Sequence, residues 1–409
     1  MENFSSQNYL PIDGLAGTLV GRVWSTQVTS PPNGGPCVVA LRQDGVFDLT
    51  AHWPTMSDLL EEPNPAESVA SVPGKHIGSI EAVLQHTLDS KVSARGIMQT
   101  HFLAPCDLQV IKAAGVTFAS SLIERVIEER AKGNPALALS IRTQVLDVLG
   151  GSLADIVPGS EKAQEVKAFL IQQGMWSQYL EVGIGPDAEV FTKAPILSAV
   201  GLGAEIGIHP SSSWNNPEPE IVLAVDSSGR IKGAPLGNDV NLRDIEGRSA
   251  LLLGKAKDNN GSCAIGPFLR LFDNTFDLDS IRRCVVKLEV RGQDGFVMHG
   301  ESSMNKISRD PSELVAQTMG GHHQYPDGCM LFLGTMFAPV QDRGALGSGF
   351  THRIGDCVRI ETDALGALLN HVNYCDQIKP WTFGIRALQR NLTERQMWQA
   401  TTFERKQVL

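Results

Sequence analysis

The chain has 409 residues, of which 42% are hydrophobic and 20% charged, and a formal net charge of −10. It is too long for one small core and ordinary in composition, so two domains, or one large domain with an appendage, are expected. The acidic balance argues against a nucleic-acid backbone as partner, and no apolar run approaches membrane-spanning length.

Seven cysteines are scattered along the chain without a C-x-x-C pair. That pattern reads as the reduced thiols of a cytoplasmic protein and excludes a zinc ribbon. The start, MENFSSQNYLPIDG, has neither a basic lead nor an apolar core and does not read as a signal peptide.

Residues 1–104 read as a small β-rich unit, with strands over 18–24, 36–41 and 45–50 and a turn at Gln43-Asp44-Gly45. Residues 54–60 read as a short capped helix, and 61–74 as a looser stretch. Residues 108–115 form a strand running into a glycine turn. Leu122, Ile123, Val126 and Ile127 then fall at helical spacing, with Ser121 and Glu124 as a capping-box pattern and Gly133 as the stop. Residues 136–179 are mainly helical, broken at Gly150-Gly151 and Pro158-Gly159. This segment reads as a lid over a site, or equally as a packing arm or a dimer contact.

The most informative stretch follows. Glu218 and Glu220 sit two apart and lead into the apolar run 221–225, so on an extended chain both carboxylates project from one face. Pro219 removes a ladder donor, which places it at a sheet edge or a strand entrance. A turn at Asp226-Ser227-Ser228-Gly229 precedes a second strand ending at Gly237-Asn238-Asp239. If the two strands pair, Asp239 returns near the glutamates. Three carboxylates that close repel one another, and one must take up a proton unless a cation sits between them. An all-oxygen set favours Mg²⁺, with Mn²⁺ or Ca²⁺ as alternatives. The bland reading of Glu-x-Glu is the wet face of a sheet. Asn215, Asn216, Asn238, Asn241, Arg243, Asp244 and Lys257 crowd the same neighbourhood.

The last part is β-rich. Residues 284–291 alternate, and Gln293-Asp294-Gly295 turns them into a further strand. His322-His323 reads as surface or interface, because neighbours on a chain diverge. There is no G-x-S-x-G, no H-E-x-x-H and no glycine-rich nucleotide loop.

Glu218-Pro219-Glu220, followed by Gly237-Asn238-Asp239-Val240-Asn241-Leu242-Arg243-Asp244, resembles the E-x-E and N-D-V-S-x-R-D signatures of the fumarylacetoacetate hydrolase family. Residues 189–201 resemble its F-x-K-x-P-x-x-x-x-G segment, and Gly334-Thr335, Gly355-Asp356 and 366–372 resemble its ending. The stretches VTFASSLIERVIEERAKG, GRSALLLGKAKDNN and LFLGTMFAPVQDR look like one branch, the 2-keto-3-deoxy-pentonate dehydratases of oxidative xylose or arabinose breakdown. The fit runs in order from about residue 108 to the C-terminus, with weaker likeness before it.

The resemblance implies a mainly β fold with α insertions. In it, a fumarylacetoacetate hydrolase-type mixed β-sandwich roll spans 105–409, with a helical insertion at about 119–180, behind a small N-terminal β-rich domain at 1–104. It implies Mg²⁺ on Glu218, Glu220 and Asp239. Lys193, Lys257 and Arg243 become candidates for binding the acid or protonating the leaving group, Thr335 for contacting substrate oxygens, and Glu124 for proton transfer. The blander readings are a solvated Lys193, a turn-capping Thr335 and a helix-capping Glu124. The implied partner is a small 2-keto acid, and the implied assembly a homodimer or homotetramer.

Two departures stand out. Where the family carries G-x-N-Y-x-x-H-x-x-E, this chain has Thr117, Phe118 and Ser121 in place of the Asn, Tyr and His, so the histidine that activates water in the hydrolases is missing. The interval from Glu220 to Asp239 is also shorter, a plain hairpin in place of an inserted helix. The expected activity is Mg²⁺-dependent dehydration of a 2-keto-3-deoxy-pentonate to 2,5-dioxopentanoate. The alternatives are hydrolysis of a 2,4-diketo acid and a catalytically silent metal-binding protein.

Overall fold

The structure is a computed structural model that describes residues 5–28, 34–89, 99–149, 156–339, 341–344 and 349–398. From the N-terminus, β1 (Leu19–Ser25), β2 (Gly35–Arg42), β3 (Gly45–Asp48) and β4 (Lys75–Gly78) form an antiparallel meander, and β5 (His101–Leu103) pairs with β1. Next come β6 (Val110–Gly115) and, after the helical insertion, β7 (Glu189–Ala194), β8 (Glu205–Ile208) and β9 (Asn215–Asn216). The hairpin β10 (Pro219–Val225) and β11 (Ile231–Asp239) leads to β12 (Asn241–Leu242) and β13 (Cys263–Leu271). The chain closes with β14 (Val285–Arg291), β15 (Val297–Ser303), β16 (Cys329–Phe332), β17 (Cys357–Thr362) and β18 (Gly366–Tyr374).

These strands make one long sheet, in the order β4-β3-β2-β1-β13-β11-β10-β16-β6-β7, a second sheet, β15-β14-β17-β18-β8, and a two-stranded ribbon of β9 with β12. All pairings in the long sheet are antiparallel except β16 with β6. The N-terminal strands extend the sheet that carries the glutamates, through Leu19 opposite Arg270 and Val20 opposite Leu269. Strand β10 is buried along its whole length, as a strand covered on both faces must be. Ile221, Leu223 and Val225 join the core facing the second sheet, with Val286, Leu288, Val358 and Leu368. Val222 and Ala224 alternate onto the opposite face, against Met56, Leu59 and Leu60 of the helix Met56–Leu60.

Pro219 is therefore a strand entrance and not a sheet edge, since β10 lies between β11 and β16. Two further expectations are corrected. The stretch 61–74 holds a helix, Pro65–Ser71, started by a proline whose missing N–H costs nothing in the first turn. The helix Ala119–Arg130 begins ahead of the expected cap at Ser121, and its N-cap, Phe118, makes no side-chain cap bond. Burial of Phe118 and the bond from Thr117 Oγ1 to the Leu333 carbonyl (2.7 Å) fix where this helix starts. Ser121 then lies inside the first turn and donates back to the Phe118 carbonyl. Gly133 ends the helix as expected, at φ +69° with its N–H on the Glu128 carbonyl.

The helical insertion comprises Ala119–Arg130, Pro135–Leu149, Glu161–Gln172 and Gln178–Ile184 around a core of its own that includes Leu122, Val126, Leu170, Leu180 and Trp214. No helix among the described residues is long and apolar enough to cross a membrane.

A buried fork holds the loop that follows Thr335. Arg343 donates to both Asp356 oxygens (2.5 and 2.7 Å), and His352 Nδ1 lies 3.1 Å from the same carboxylate. Burial alone would raise the Asp356 pKa, but the bonds from His352 and Arg343 pull it down to about 2. A depressed carboxylate stabilises the fold above its unfolded pKa, about 3.9, and that contribution is lost as pH falls through the folded value. Asp356→Asn is expected to flatten the acid limb of the stability curve between about pH 4 and 2. At neutral pH it is expected to lower stability by about 1–3 kcal/mol, because Arg343 loses one charged partner and keeps the other, Asp294, at 2.9 Å. Urea unfolding at a series of pH values checks both.

Candidate active site

The hairpin registers Pro219 opposite Asn238 and Glu220 opposite Gly237, which brings Asp239 beside the two glutamates. The Asp239 N–H donates to the Glu218 carbonyl (3.0 Å), and the Glu218 N–H to Asn238 Oδ1 (3.1 Å). One oxygen each from Glu218, Glu220 and Asp239 lies within 4.8 Å of the others, and all three residues are buried. Glu220 Oε2 accepts the Gly334 N–H at 2.6 Å. Gly334, at φ +86°, must be glycine, because a Cβ there would also collide with Thr117 Oγ1. Burial, and then the charges of Asp239 and Glu218, push the Glu220 carboxyl well above its ordinary range. Burial acts the same way on Asp239, but Lys193 and Lys257 outweigh it and hold that carboxyl low.

Two lysines meet this cluster differently. Lys257 Nζ bridges Glu218 Oε2 (2.5 Å) and Asp239 Oδ2 (2.9 Å) and faces the cavity. Lys193 is wholly buried, 2.8 Å from Asp239 Oδ1, and also donates to the carbonyls of Val240 and Lys257. It is not the solvated strand lysine of the bland reading. It sits behind Asp239 and is not among the residues that line the cavity.

The helix Ala119–Arg130 supplies the opposite wall. Arg125 reaches Glu218 Oε1 (2.5 Å), Glu128 Oε2 (2.6 Å) and Glu246 Oε2 (3.0 Å). Arg243 donates through Nε to Glu128 (2.6 Å), lies 3.3 Å from Glu124 Oε2, and stacks on Trp214 at 4.2 Å. Glu124 is gripped by both terminal nitrogens of Arg142, from the helix Pro135–Leu149, as well as by Arg243. It caps no helix end. Thr335 lines the cavity, and its Oγ1 also accepts the Phe337 N–H (3.1 Å). His322 and His323 lie exposed, away from this cavity.

Around this one cavity, Glu124, Glu128, Glu189, Glu218, Glu220, Asp239 and Glu246 face Arg125, Arg142, Arg243, Lys193 and Lys257. The carboxylates outnumber the cations by two. Buried uncompensated charge is costly, so the cluster either takes up protons or holds a divalent cation. Glu246 shows the first outcome: burial raises its carboxyl to about 7, although Arg125 and Lys257 oppose the rise. The donors are all oxygen, which suits a hard ion such as Mg²⁺.

Arg125, Glu128, Glu189 and Glu246 were not singled out from the sequence. Ser121, Glu124, Arg125 and Glu128 recur at three- and four-residue spacing, which places them on one helix face, and that signal was available. Glu189 and Glu246 reach the site only through tertiary packing. Lys193→Met strips Asp239 of its rear partner and is expected to cost about 3–5 kcal/mol of stability, read from the shift in the urea midpoint.

No family model matches the chain. A curated relative from Saccharolobus solfataricus, 2-dehydro-3-deoxy-D-arabinonate dehydratase, is 31% identical over 187 residues, 45% of this chain and 58% of that one. The match thus spans little more than half of that relative's length. A second, from Haloferax volcanii and named probable 2-keto-3-deoxyxylonate dehydratase, is 26% identical over 339 residues, 82% of this chain and 94% of that one. A solved 2-keto-3-deoxy-D-arabinonate dehydratase, described as complexed with magnesium and 2,5-dioxopentanoate, superposes with a TM-score of 0.54 at 19% identity, over 87% of this chain and 99% of that one. A fumarylacetoacetate hydrolase from Exiguobacterium antarcticum superposes with a TM-score of 0.50 at 16% identity, over 87% and 99% of the two chains. The chain has the fold of these enzymes, and its curated homologues are named as dehydratases of 2-keto-3-deoxy-pentonates.

Proposed function

We propose that the protein dehydrates a 2-keto-3-deoxy-pentonate to 2,5-dioxopentanoate with the help of Mg²⁺. The observation that carries this reading is the meeting of Glu218, Glu220 and Asp239 oxygens in a buried cavity with two carboxylates in excess. The names of the homologues, and the magnesium and 2,5-dioxopentanoate in the solved dehydratase, supply the substrate class.

Glu218, Glu220 and Asp239 would hold the ion. When bound, Mg²⁺ supplies Lewis-acid polarisation of a 2-keto group. The chain's own residues do the rest. Lys193 fixes Asp239 from behind, and the Gly334 N–H fixes Glu220. Lys257, Arg243 and Thr335 line the cavity and are assigned to the substrate's carboxylate and hydroxyl oxygens. Glu124, gripped by Arg142 and Arg243, is assigned to orienting Arg243 rather than to carrying a proton. Among the described residues that line the cavity there is no histidine, which supports elimination over activation of water for hydrolysis. A cytoplasmic homodimer or homotetramer completes the proposal, and sedimentation of the purified protein checks the assembly.

The test is purified protein with 2-keto-3-deoxy-D-xylonate or -arabinonate, following 2,5-dioxopentanoate. Product formation that stops with EDTA and returns with Mg²⁺ is expected. Turnover of a 2,4-diketo acid alone would make the protein a hydrolase, and no turnover of either would make it a silent metal binder. Glu220→Gln and Asp239→Asn are expected to weaken Mg²⁺ binding and to lower kcat/KM by roughly 100-fold or more, since even the outer partners of metal ligands cost 10–100-fold.

A further inference from the structure

Asn216, Glu218 and Glu220 alternate along the chain, and all of them line the cavity. Cα atoms two residues apart lie at most about 7 Å from each other. Asn216 therefore sits one short step beyond Glu218, outside the proposed ion site but within the same chamber. Its side chain is buried, at 2% exposure. Nδ2 donates to the Pro217 carbonyl at 2.9 Å. A carbonyl only accepts, so the amide cannot be turned round, and Oδ1 is left as the atom available to the cavity.

That oxygen has no donor among the described residues. By contrast, Lys193 holds Asp239 Oδ1 at 2.8 Å and Arg125 holds Glu246 Oε2 at 3.0 Å. The donors near Asn216 in the chain are exhausted. Pro217 has no N–H. An asparagine at a turn commonly accepts the N–H two residues on, but the Glu218 N–H goes instead to Asn238 Oδ1 at 3.1 Å. Asn241 stands opposite Asn216 in the β9–β12 ribbon, and its side-chain amide makes no bond to it. A buried acceptor without a donor is costly, and a ligand that brings the missing hydrogen removes that cost.

We propose that Asn216 is a specificity-determining residue, whose Oδ1 accepts a hydrogen bond from the terminal C5 hydroxyl of the substrate. This rests on the dehydratase reading. In a 2-keto-3-deoxy-pentonate the carboxylate and the keto group have no hydrogen to give. The C4 hydroxyl departs as water and must gain a proton as it goes, which an amide oxygen cannot supply. The C5 hydroxyl stays on the carbon chain through the elimination, and it is the donor that fits. An acid of the same length ending in a methyl group leaves Oδ1 unpaired, and one ending in a carboxylate sets negative charge against it. A site built to bond a substrate hydroxyl rejects the analogue that lacks it.

The test compares two acids on the full-length protein with Mg²⁺. One is 2-keto-3-deoxy-D-xylonate. The other is 4-hydroxy-2-oxopentanoate of the same C4 configuration, which lacks only the C5 hydroxyl and loses water to give 2-oxopent-3-enoate. Wild-type kcat/KM is expected to favour the pentonate by at least about 100-fold. In Asn216→Leu, which keeps the volume and removes the acceptor, the ratio is expected to fall to about 10 or less, with calorimetric Mg²⁺ binding at the wild-type level. Asn216→Ala, which has no bulk to clash, is expected to do the same. Each ratio is taken within one preparation and so does not depend on the fraction folded. A wild-type ratio near one, or a ratio that neither variant changes, overturns the assignment. So does a collapse accompanied by loss of Mg²⁺ binding, which would make Asn216 a support of the ion site. Turnover of neither acid by the wild-type protein would instead sink the dehydratase reading, and this subsite with it.

Discussion

Like charges kept close together and away from water are the least comfortable arrangement a protein can build. Here Glu218, Glu220 and Asp239 are held so by strands that cannot easily move. Strand β10 is hydrogen-bonded on both sides, and β11 lies between β10 and β13. The repulsion therefore cannot be relieved by drift of the backbone. It is answered by charge, from Lys193 behind, Lys257 between and Arg125 in front. Everything else in the site follows from how those cations are shared.

The sharing is a chain of double duties. Arg125 serves Glu218, Glu128 and Glu246, and Arg243 serves Glu128 and Glu124. Arg142 brings the helical insertion into the network by gripping Glu124. The insertion is thus electrostatically part of the site. Buried pairs of this kind add little net stability over a packed apolar core, but breaking one of them is costly. The network's value lies in fixing positions.

How much of this could be read from the sequence depends on the range of the interaction. The shared face of Glu218 and Glu220 and the return of Asp239 were legible, because strand alternation and the turn at residues 226–229 are local. The β-rich N-terminal stretch and the helical insertion were legible for the same reason. The capping pattern at Ser121 was local too, and misleading. Phe118 and Thr117 pack against distant residues, and that packing decided where the helix begins. The grip on Glu124 was not legible because its partner Arg142 belongs to another helix, and the burial of Lys193 was not legible because nothing nearby in sequence shows that it is wrapped by Val240, Lys257 and Asp239. Glu189 opens a segment matched to the family pattern, but its place at the cavity was not legible, since only the β6–β7 pairing brings it to Gly115.

Strand β13 stands between two neighbours, β1 from the N-terminal stretch and β11, whose last residue is Asp239. Cutting the chain before residue 104 would leave β13 with a bare flank of unsatisfied backbone groups, a template for pairing with other molecules. The N-terminal strands are thus not a cassette to be exchanged among relatives at will. They are the buttress that keeps β13, the strand beside the one ending in Asp239, from becoming the rim of the sheet.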